Sequence, residues 1–93
     1  MLEICNYING EFFRAISKKT IGNHSPANGS LYSFMPDSDE RDVEKAVDAA
    51  RKAFVSWGSA TKNYRYDWMM KLAQAIDDSA ERLVVAESFD NGK

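Results

Sequence analysis

The sequence contains few of the residue types that carry catalysis or covalent cross-links. It has one cysteine and one histidine among 93 residues. Cys5 has no partner for an internal disulfide, which is compatible with a reducing compartment, and no helix start or cationic neighbour is predicted beside it to activate the thiol. A catalytic His24 would need a nucleophile or a carboxylate held beside it, but its neighbours predict a turn. We therefore interpret His24 as an exposed loop residue and Cys5 as a small packed or exposed thiol.

Other absences exclude whole classes of function. No histidine–cysteine cluster has metal-ligand spacing, and no glycine-rich phosphate loop is present. No apolar run approaches the length of a membrane span, and the stretch MLEICNYING lacks the pattern of a secretory signal. The formal net charge of −2 gives no reason to expect nucleic acid or an anionic membrane as a partner. We expect a soluble, cytoplasmic chain of ordinary globular composition.

One stretch mixes basic and aromatic residues, as some nucleic-acid surfaces do. It comprises Lys62, Tyr64, Arg65 and Tyr66. Acidic neighbours and the acidic overall balance favour a different interpretation, the start of an amphipathic helix.

The longest regular pattern runs from Asp37 to Trp57 and predicts an amphipathic helix. Its apolar residues recur at steps of three and four. They are Val43, Ala46, Val47, Ala50, Ala53, Phe54 and Trp57. Asp37 with Glu40 fits a capping box, and Gly58 is a candidate for the helix end. Because the apolar positions are rich in alanine, we predict a helix that packs closely on a sheet or another helix.

The segment before this helix predicts short strands and tight turns. Asn9–Gly10 between two apolar runs indicates a hairpin with strands near Cys5–Ile8 and Glu11–Arg14. Residues 17–20 are polar and predict an exposed connection, and residues 23–30 predict a turn around Pro26.

A third strand is expected at Leu31–Met35. Pro36, directly after it, cannot donate to a sheet ladder, so we expect this strand near a sheet edge.

The segment after the long helix predicts two further helices. Thr61 is a plausible cap for the first of them. Asp77–Ser79 interrupts its apolar pattern, and Asp78 with Glu81 repeats the capping-box pattern, so we place a helix boundary there. Residues 90–92 indicate a helix end. Short strands and a hairpin followed by three amphipathic helices predict a locally α+β segment.

Taken together, five short pieces resemble the N-terminal end of the NAD(P)-dependent aldehyde dehydrogenase superfamily. They are NYINGEF at 6–12, SPANG at 25–29, the long helix at 42–57, the helix containing Arg65, Leu72, Ala73 and Ile76, and ESFDNGK at 87–93. The pieces occur in family order along nearly the whole chain. The chain departs from the family pattern at Ser25, Asn28, Ser30 and Tyr64, which are loop and helix-start positions.

The resemblance implies an α/β parent fold in which residues 1–93 form the N-terminal part of the cofactor-binding domain. That domain would be incomplete, and the catalytic domain would be absent. The cysteine nucleophile, general-base glutamate, oxyanion-hole asparagine and cofactor-binding lysine of the family all lie beyond the end of this chain. Cys5 matches none of them. We therefore assign no catalytic or cofactor-binding residue here. NAD or NADP would bind the full-length enzyme, and we expect none to bind this segment alone.

The resemblance also implies a metal site. Some family members hold a monovalent cation with an acid and two backbone carbonyls, and the matching positions here are Asp90, Asn23 and His24. Carboxylate and carbonyl oxygens suit a hard cation. A second interpretation stays open, in which Asp90 is a hydrogen-bond acceptor at a helix end.

Two functions follow as expectations. The first is the N-terminal fragment of an enzyme that oxidises an aldehyde to a carboxylic acid with NAD(P)+, the 93-residue chain itself being inactive. The second is a stand-alone, non-catalytic packing module that uses the Val43–Trp57 face. The expected partner is a second copy of the chain or the remainder of the same enzyme. The end at Lys93 looks arbitrary for a folded unit.

Overall fold

The structure is a computed structural model that describes residues 2–92. Five short strands precede three helices within this range. The elements are β1 (Leu2–Glu3), β2 (Asn6–Ile8), β3 (Glu11–Phe13), β4 (Thr20–His24), β5 (Leu31–Pro36), α1 (Glu40–Ser59), α2 (Lys62–Asp78) and α3 (Ala80–Asn91). This order confirms the locally α+β prediction. Lys93, the last residue of the motif at 87–93, lies outside the described residues.

Strand β5 is the centre of a three-stranded sheet. It pairs in parallel with β1 and antiparallel with β4, from Thr20 opposite Pro36 to His24 opposite Leu31. The prediction of an edge strand was therefore wrong. Pro36 is the last residue of β5, so its missing N–H falls at the end of the ladder and not inside it.

Two strands of that sheet escaped prediction. β1 has only two residues, and β4 reads TIGNH, which overlaps the predicted connection and turn. Glycine and asparagine are depleted in strands, so β4 is specified by its pairing with β5 and not by local preference. His24 accordingly ends a strand instead of lying in a loop, although it is exposed as expected.

The hairpin of β2 and β3 is confirmed. Asn9 and Gly10 form its two-residue turn with φ values of 52° and 79°, both in the left-handed region that a type I′ turn requires. The observed strands are slightly shorter than predicted. Cys5 therefore precedes β2 and is half-buried.

The capping box of α1 lies two residues later than predicted. Asp39 accepts from the N–H of Arg41 at 2.9 Å, and Oδ2 of Asp42 accepts from the N–H of Asp39 at 3.0 Å. Oδ1 of Asp42 also accepts from the N–H of Ile16 at 2.9 Å. Asp42 is buried, with 5% of its surface exposed. Its long-range bond to Ile16 gives a physical reason why the capping box forms at Asp39 and not at Asp37.

The helix ends follow the sequence signals in part. Thr61 caps α2 by accepting from the N–H of Tyr64 at 3.1 Å, as predicted. Gly92 ends α3 with φ 81°, also as predicted. Gly58 does not end α1, which continues to Ser59.

The break between α2 and α3 is confirmed, but without the expected capping box. Ser79 occupies the cap position and makes no side-chain cap bond. Asp78 instead accepts a hydrogen bond from the side chain of Gln74 at 2.9 Å, so its carboxylate does not cap α3. At the other end of α2, Arg65 donates to the carbonyl of Ala60 at 2.8 Å, so this basic residue closes the end of α1.

The described residues form a thin layer with little interior. Their extents are 48 × 33 × 16 Å, and the radius of gyration is 16.7 Å. A compact chain of this length would have a radius of gyration of about 12 Å. Ile8 and Ala15 are the buried apolar residues in this range, whereas the apolar side chains of all three helices are largely exposed. Within residues 2–92, no helix combines the length and the apolar character needed to cross a bilayer.

Candidate cation site

A polar network ties the last turn of α3 to strands β4 and β5. Nδ2 of Asn23 lies 3.0 Å from Oδ1 of Asp90, 3.0 Å from the hydroxyl of Tyr32 and 3.1 Å from Oγ of Ser33. The hydroxyl of Tyr32 also donates to Oδ1 of Asp90. One carboxylate oxygen on the helix therefore accepts from two neutral donors on the sheet.

The sheet register and the helix end bring these groups together. Asn23 is paired with Ser33, and the ladder shifts between Asn23 and His24. On the helix side, the ring of Phe89 meets the ring of Tyr32 edge-on at a centroid distance of 4.6 Å. Gly92 lies against the turn at Pro26, since a Cβ on this glycine would approach Cγ of that proline to 3.1 Å. The C-terminal end of α3 is thus fixed by an apolar and a polar contact side by side.

The network keeps a negative charge on Asp90. Hydrogen bonds from Tyr32 and then Asn23 hold the pKa of the Asp90 carboxyl below its usual range, against a smaller opposing effect of burial. The hydrogen bond to Asp90, then burial and the aspartate charge, raise the pKa of Tyr32. The arrangement therefore stabilises an ionised carboxylate beside a neutral phenol.

No basic side chain within residues 2–92 forms an ion pair with this carboxylate. The ion pairs within residues 2–92 join Arg14 to Glu3 and Arg41 to Asp39, and neither includes Asp90. Asp90 is exposed, so this carboxylate is open to solvent and to a cation that approaches from it.

The groups that the resemblance singles out are oxygen donors, the type that hard cations prefer. The three residues singled out from the sequence offer a carboxylate and two backbone carbonyls, and the structure brings Asn23 and Asp90 together. The contact it shows uses the side-chain amide nitrogen of Asn23, which donates and cannot ligate a metal. The His24 imidazole forms no hydrogen bond with a described residue, and residues 2–92 hold no group of three or more His, Cys, Asp and Glu that could bind a metal. A soft or transition metal therefore has no suitable ligand set in this range.

Sequence reasoning missed Tyr32 and Ser33. Only a strand was predicted at Leu31–Met35, yet Ser33 is fully buried and the hydroxyl of Tyr32 donates to Asp90, 58 positions away. Asp90 does act as a hydrogen-bond acceptor, but its donors come from the sheet. The helix end itself is closed by the N–H of Gly92, 3.0 Å from the carbonyl of Ser88.

Comparison with known proteins gives one consistent result. The family model for the aldehyde dehydrogenase family matches residues 12–93. An acetaldehyde dehydrogenase of Pseudomonas aeruginosa is 39% identical over 88 residues, which cover 95% of this chain and 17% of that protein.

Solved structures agree with this result. A substituted form of aldehyde dehydrogenase from Bacillus cereus superposes with a TM-score of 0.91 at 40% identity, covering 98% of this chain and 19% of that one. The NAD+ complex of aldehyde dehydrogenase from the same organism gives a TM-score of 0.89 at 38% identity, with 96% and 18% covered. The chain therefore spans less than a fifth of the length of the relatives it matches.

Proposed function

The chain belongs to the aldehyde dehydrogenase family, and from this premise we propose that it is the N-terminal part of an enzyme that oxidises an aldehyde to a carboxylic acid with NAD or NADP. Residues 1–93 would form the first part of the cofactor-binding domain. The observation that carries the proposal is the TM-score of 0.91 over 98% of this chain against 19% of a solved aldehyde dehydrogenase.

The exposed surface of the segment supports this role. Apolar side chains on all three helices face solvent, among them Val43 at 60% and Leu72 at 54% exposure. An apolar cleft between β1 and α3, lined by Leu2, Ile4 and Val85, is also open. Faces of this kind are rarely left in water. The remainder of the same enzyme is the partner that we propose to cover them.

The contribution of this chain to the chemistry is structural. Bound NAD(P)+ supplies the hydride acceptor in the full-length enzyme. Residues 2–92 supply the outer strands and helices that support the cofactor domain, and we expect no cofactor to bind them alone. We also propose a cytoplasmic location, since a chain with one cysteine is compatible with a reducing compartment.

We extend the proposal to the cation site. The Asp90 carboxylate and the backbone carbonyls of Asn23 and His24 would hold a monovalent cation against the end of α3. The ionised state of Asp90, its lack of an ion pair within residues 2–92, and the oxygen character of the donors support this assignment. Such a cation would fasten α3 to the β4–β5 hairpin.

A segment exchange tests the enzymatic role. The corresponding segment of the Bacillus cereus enzyme is replaced by residues 1–93, and aldehyde-dependent reduction of NAD+ and NADP+ is measured. We expect the chimera to stay active, because the two segments share one backbone arrangement. The same enzyme without the segment serves as the control and should be inactive. A soluble, folded chimera without activity would contradict the proposal.

The isolated 93-residue chain should show no turnover in the same assay. Activity above a blank without protein, lost on Cys5→Ser, would contradict this expectation and return Cys5 to consideration as a nucleophile.

The exposed apolar faces also favour a second candidate function, a stand-alone packing module whose partner is another copy of the chain. Sedimentation combined with far-UV circular dichroism at several concentrations separates the two. A folded oligomer of defined size would favour the module, whereas a poorly ordered or aggregating chain would favour the enzyme segment.

A further inference from the structure

Three Asn–Gly pairs occur in the sequence, at 9–10, 28–29 and 91–92. An Asn–Gly bond is chemically labile. The backbone nitrogen of glycine attacks the asparagine Cγ, the new C–N bond closes a succinimide ring, and the side-chain nitrogen leaves as ammonia. Water then opens the ring to aspartate or isoaspartate. The reaction needs a glycine nitrogen that is free of other bonds and an asparagine side chain that is free to turn.

The pair at 28–29 is held at both reacting groups. The N–H of Gly29 donates to the carbonyl of Ser25 at 2.7 Å. The side-chain oxygen of Asn28 accepts from the backbone N–H of Ser30 at 2.9 Å and from its hydroxyl at 2.7 Å. The glycine nitrogen is engaged and the amide is fixed, so ring closure requires local opening of this turn.

The pair at 91–92 is held in a similar way at the end of α3. The N–H of Gly92 donates to the carbonyl of Ser88 at 3.0 Å. The side-chain nitrogen of Asn91 donates to the carboxylate of Glu87 at 2.8 Å. Here too both reacting groups are occupied in the folded chain.

The pair at 9–10 differs from both. Asn9 and Gly10 are exposed at the tip of the β2–β3 hairpin. Within residues 2–92, neither the Gly10 N–H nor the Asn9 side chain makes a hydrogen bond. A Cβ placed on Gly10 would meet no atom within 4 Å, so the space beside this glycine is open. The type I′ turn restrains the backbone, but each strand of the hairpin has only three residues.

We propose that Asn9 is a site of spontaneous deamidation in the folded chain and reacts ahead of Asn28 and Asn91. The product places a carboxylate at a position that lines one cleft with Lys45 and Lys52 of α1. The isoaspartate form also adds a methylene to the backbone of a two-residue turn. That change conflicts with the pairing of Ile8 with Glu11, which the turn geometry fixes.

The test compares each site with itself in native and denatured chains. The chimera that carries residues 1–93 in place of the corresponding segment of the Bacillus cereus enzyme is incubated in neutral buffer and in urea. Peptide mass spectrometry then follows the mass gain at each asparagine. The isoaspartate product is recognised by its resistance to a protease that cleaves before aspartate. The ratio of denatured to native rate removes the effect of sequence neighbours.

We expect a ratio close to one at Asn9 and a ratio of about ten or more at Asn28, because reaction at the latter requires local opening. Equal ratios at the three sites, or a larger ratio at Asn9, would overturn the proposal. Asn9→Gly removes the electrophile and keeps residues that a type I′ turn accepts. The earliest mass gain of the native chain should disappear in this variant, and its persistence at the original rate would also overturn the proposal.

Discussion

At the scale of single residues, the decisive contacts join positions far apart in the chain. Asp42 accepts from Ile16, 26 residues away, and Asp90 accepts from Asn23, 67 residues away. The family resemblance allowed Asp90 and Asn23 to be predicted as site residues from the sequence. Tyr32 could not be predicted, because nothing in the residues around it in β5 shows which group its hydroxyl bonds.

Acid should loosen α3 from the sheet through Asp90. Its pKa in the folded chain lies below the ordinary value of 3.8, so its contribution to stability is complete above that pH and is lost as the pH falls through the folded pKa. Amide hydrogen exchange around Phe89, measured against pH, reports this change. Tyr32 has a raised pKa, so its contribution is complete below pH 10.0 and is lost in more alkaline solution.

Asp90→Asn provides the control for this acid effect. The hydrogen bond from Arg41 also lowers the pKa of Asp39, so protonation of Asp39 in acid reduces stability at the start of α1 as well. The difference between the parent chain and Asp90→Asn isolates the network. An identical acid response around Phe89 in both chains would rule out Asp90 as the titrating group.

The capping box of α1 can be located by substitution. Asp42→Ala removes the acceptor of two backbone N–H groups, so we expect a loss of about 1–2 kcal/mol in the free energy of unfolding. Asp37→Ala is the matched control and should change stability by less than about 0.5 kcal/mol, because its side chain takes no part in the box. Urea unfolding of both variants measures the difference. A larger loss at Asp37 would favour the capping box first predicted from the sequence.

At the scale of secondary-structure elements, the sequence predicted those features that depend on interactions between neighbouring residues. The Asn9–Gly10 turn, the Thr61 cap and the break near Ser79 were all predicted, because each depends on a few neighbouring residues. Strand β4 and the central place of β5 were not. Those features depend on pairing across the sheet, and Gly22 and Asn23 in the middle of β4 are residue types depleted in strands.

Two glycines should respond to substitution in opposite directions. Gly92→Ala puts a side chain at φ 81° and close to Pro26, and we expect it to cost about 1–2 kcal/mol and to release the end of α3. Gly58→Ala lies within α1 and should raise helix stability by about 0.5–1 kcal/mol. The new Cβ would contact the end of the Phe54 ring, which is 66% exposed and free to move away.

Thermal unfolding followed by circular dichroism compares the two glycine variants. A Gly92→Ala chain as stable as the parent would show that the docking of α3 does not depend on the left-handed residue at its end.

At the scale of the whole molecule, residues 2–92 form a thin layer whose helices expose their apolar side chains. Strands and helices meet mainly at the hairpin and the start of α1, where Ile8 and Asp42 are buried. Beyond that junction the apolar residues of α2 and α3 are largely exposed, and α3 meets the sheet again at its C-terminal end, where Phe89 contacts Tyr32. The sequence predicted amphipathic helices correctly, but periodicity shows only that a face is apolar. It does not show that the element covering the face lies within these residues.

This exposure predicts that the isolated chain is marginally stable or associates with itself. Leu72→Lys places a charge on the apolar face of α2, where Leu72 is 54% exposed. Burying a leucine side chain is worth roughly 1.5–3 kcal/mol, so self-association should weaken by about tenfold or more. Gln74→Lys adds the same charge at a polar position of the same helix and serves as the control. Sedimentation over a range of concentrations measures both variants. A monomeric parent chain with a sharp, concentration-independent thermal transition would contradict the prediction, since a chain of this size that exposes its apolar faces is marginally stable alone.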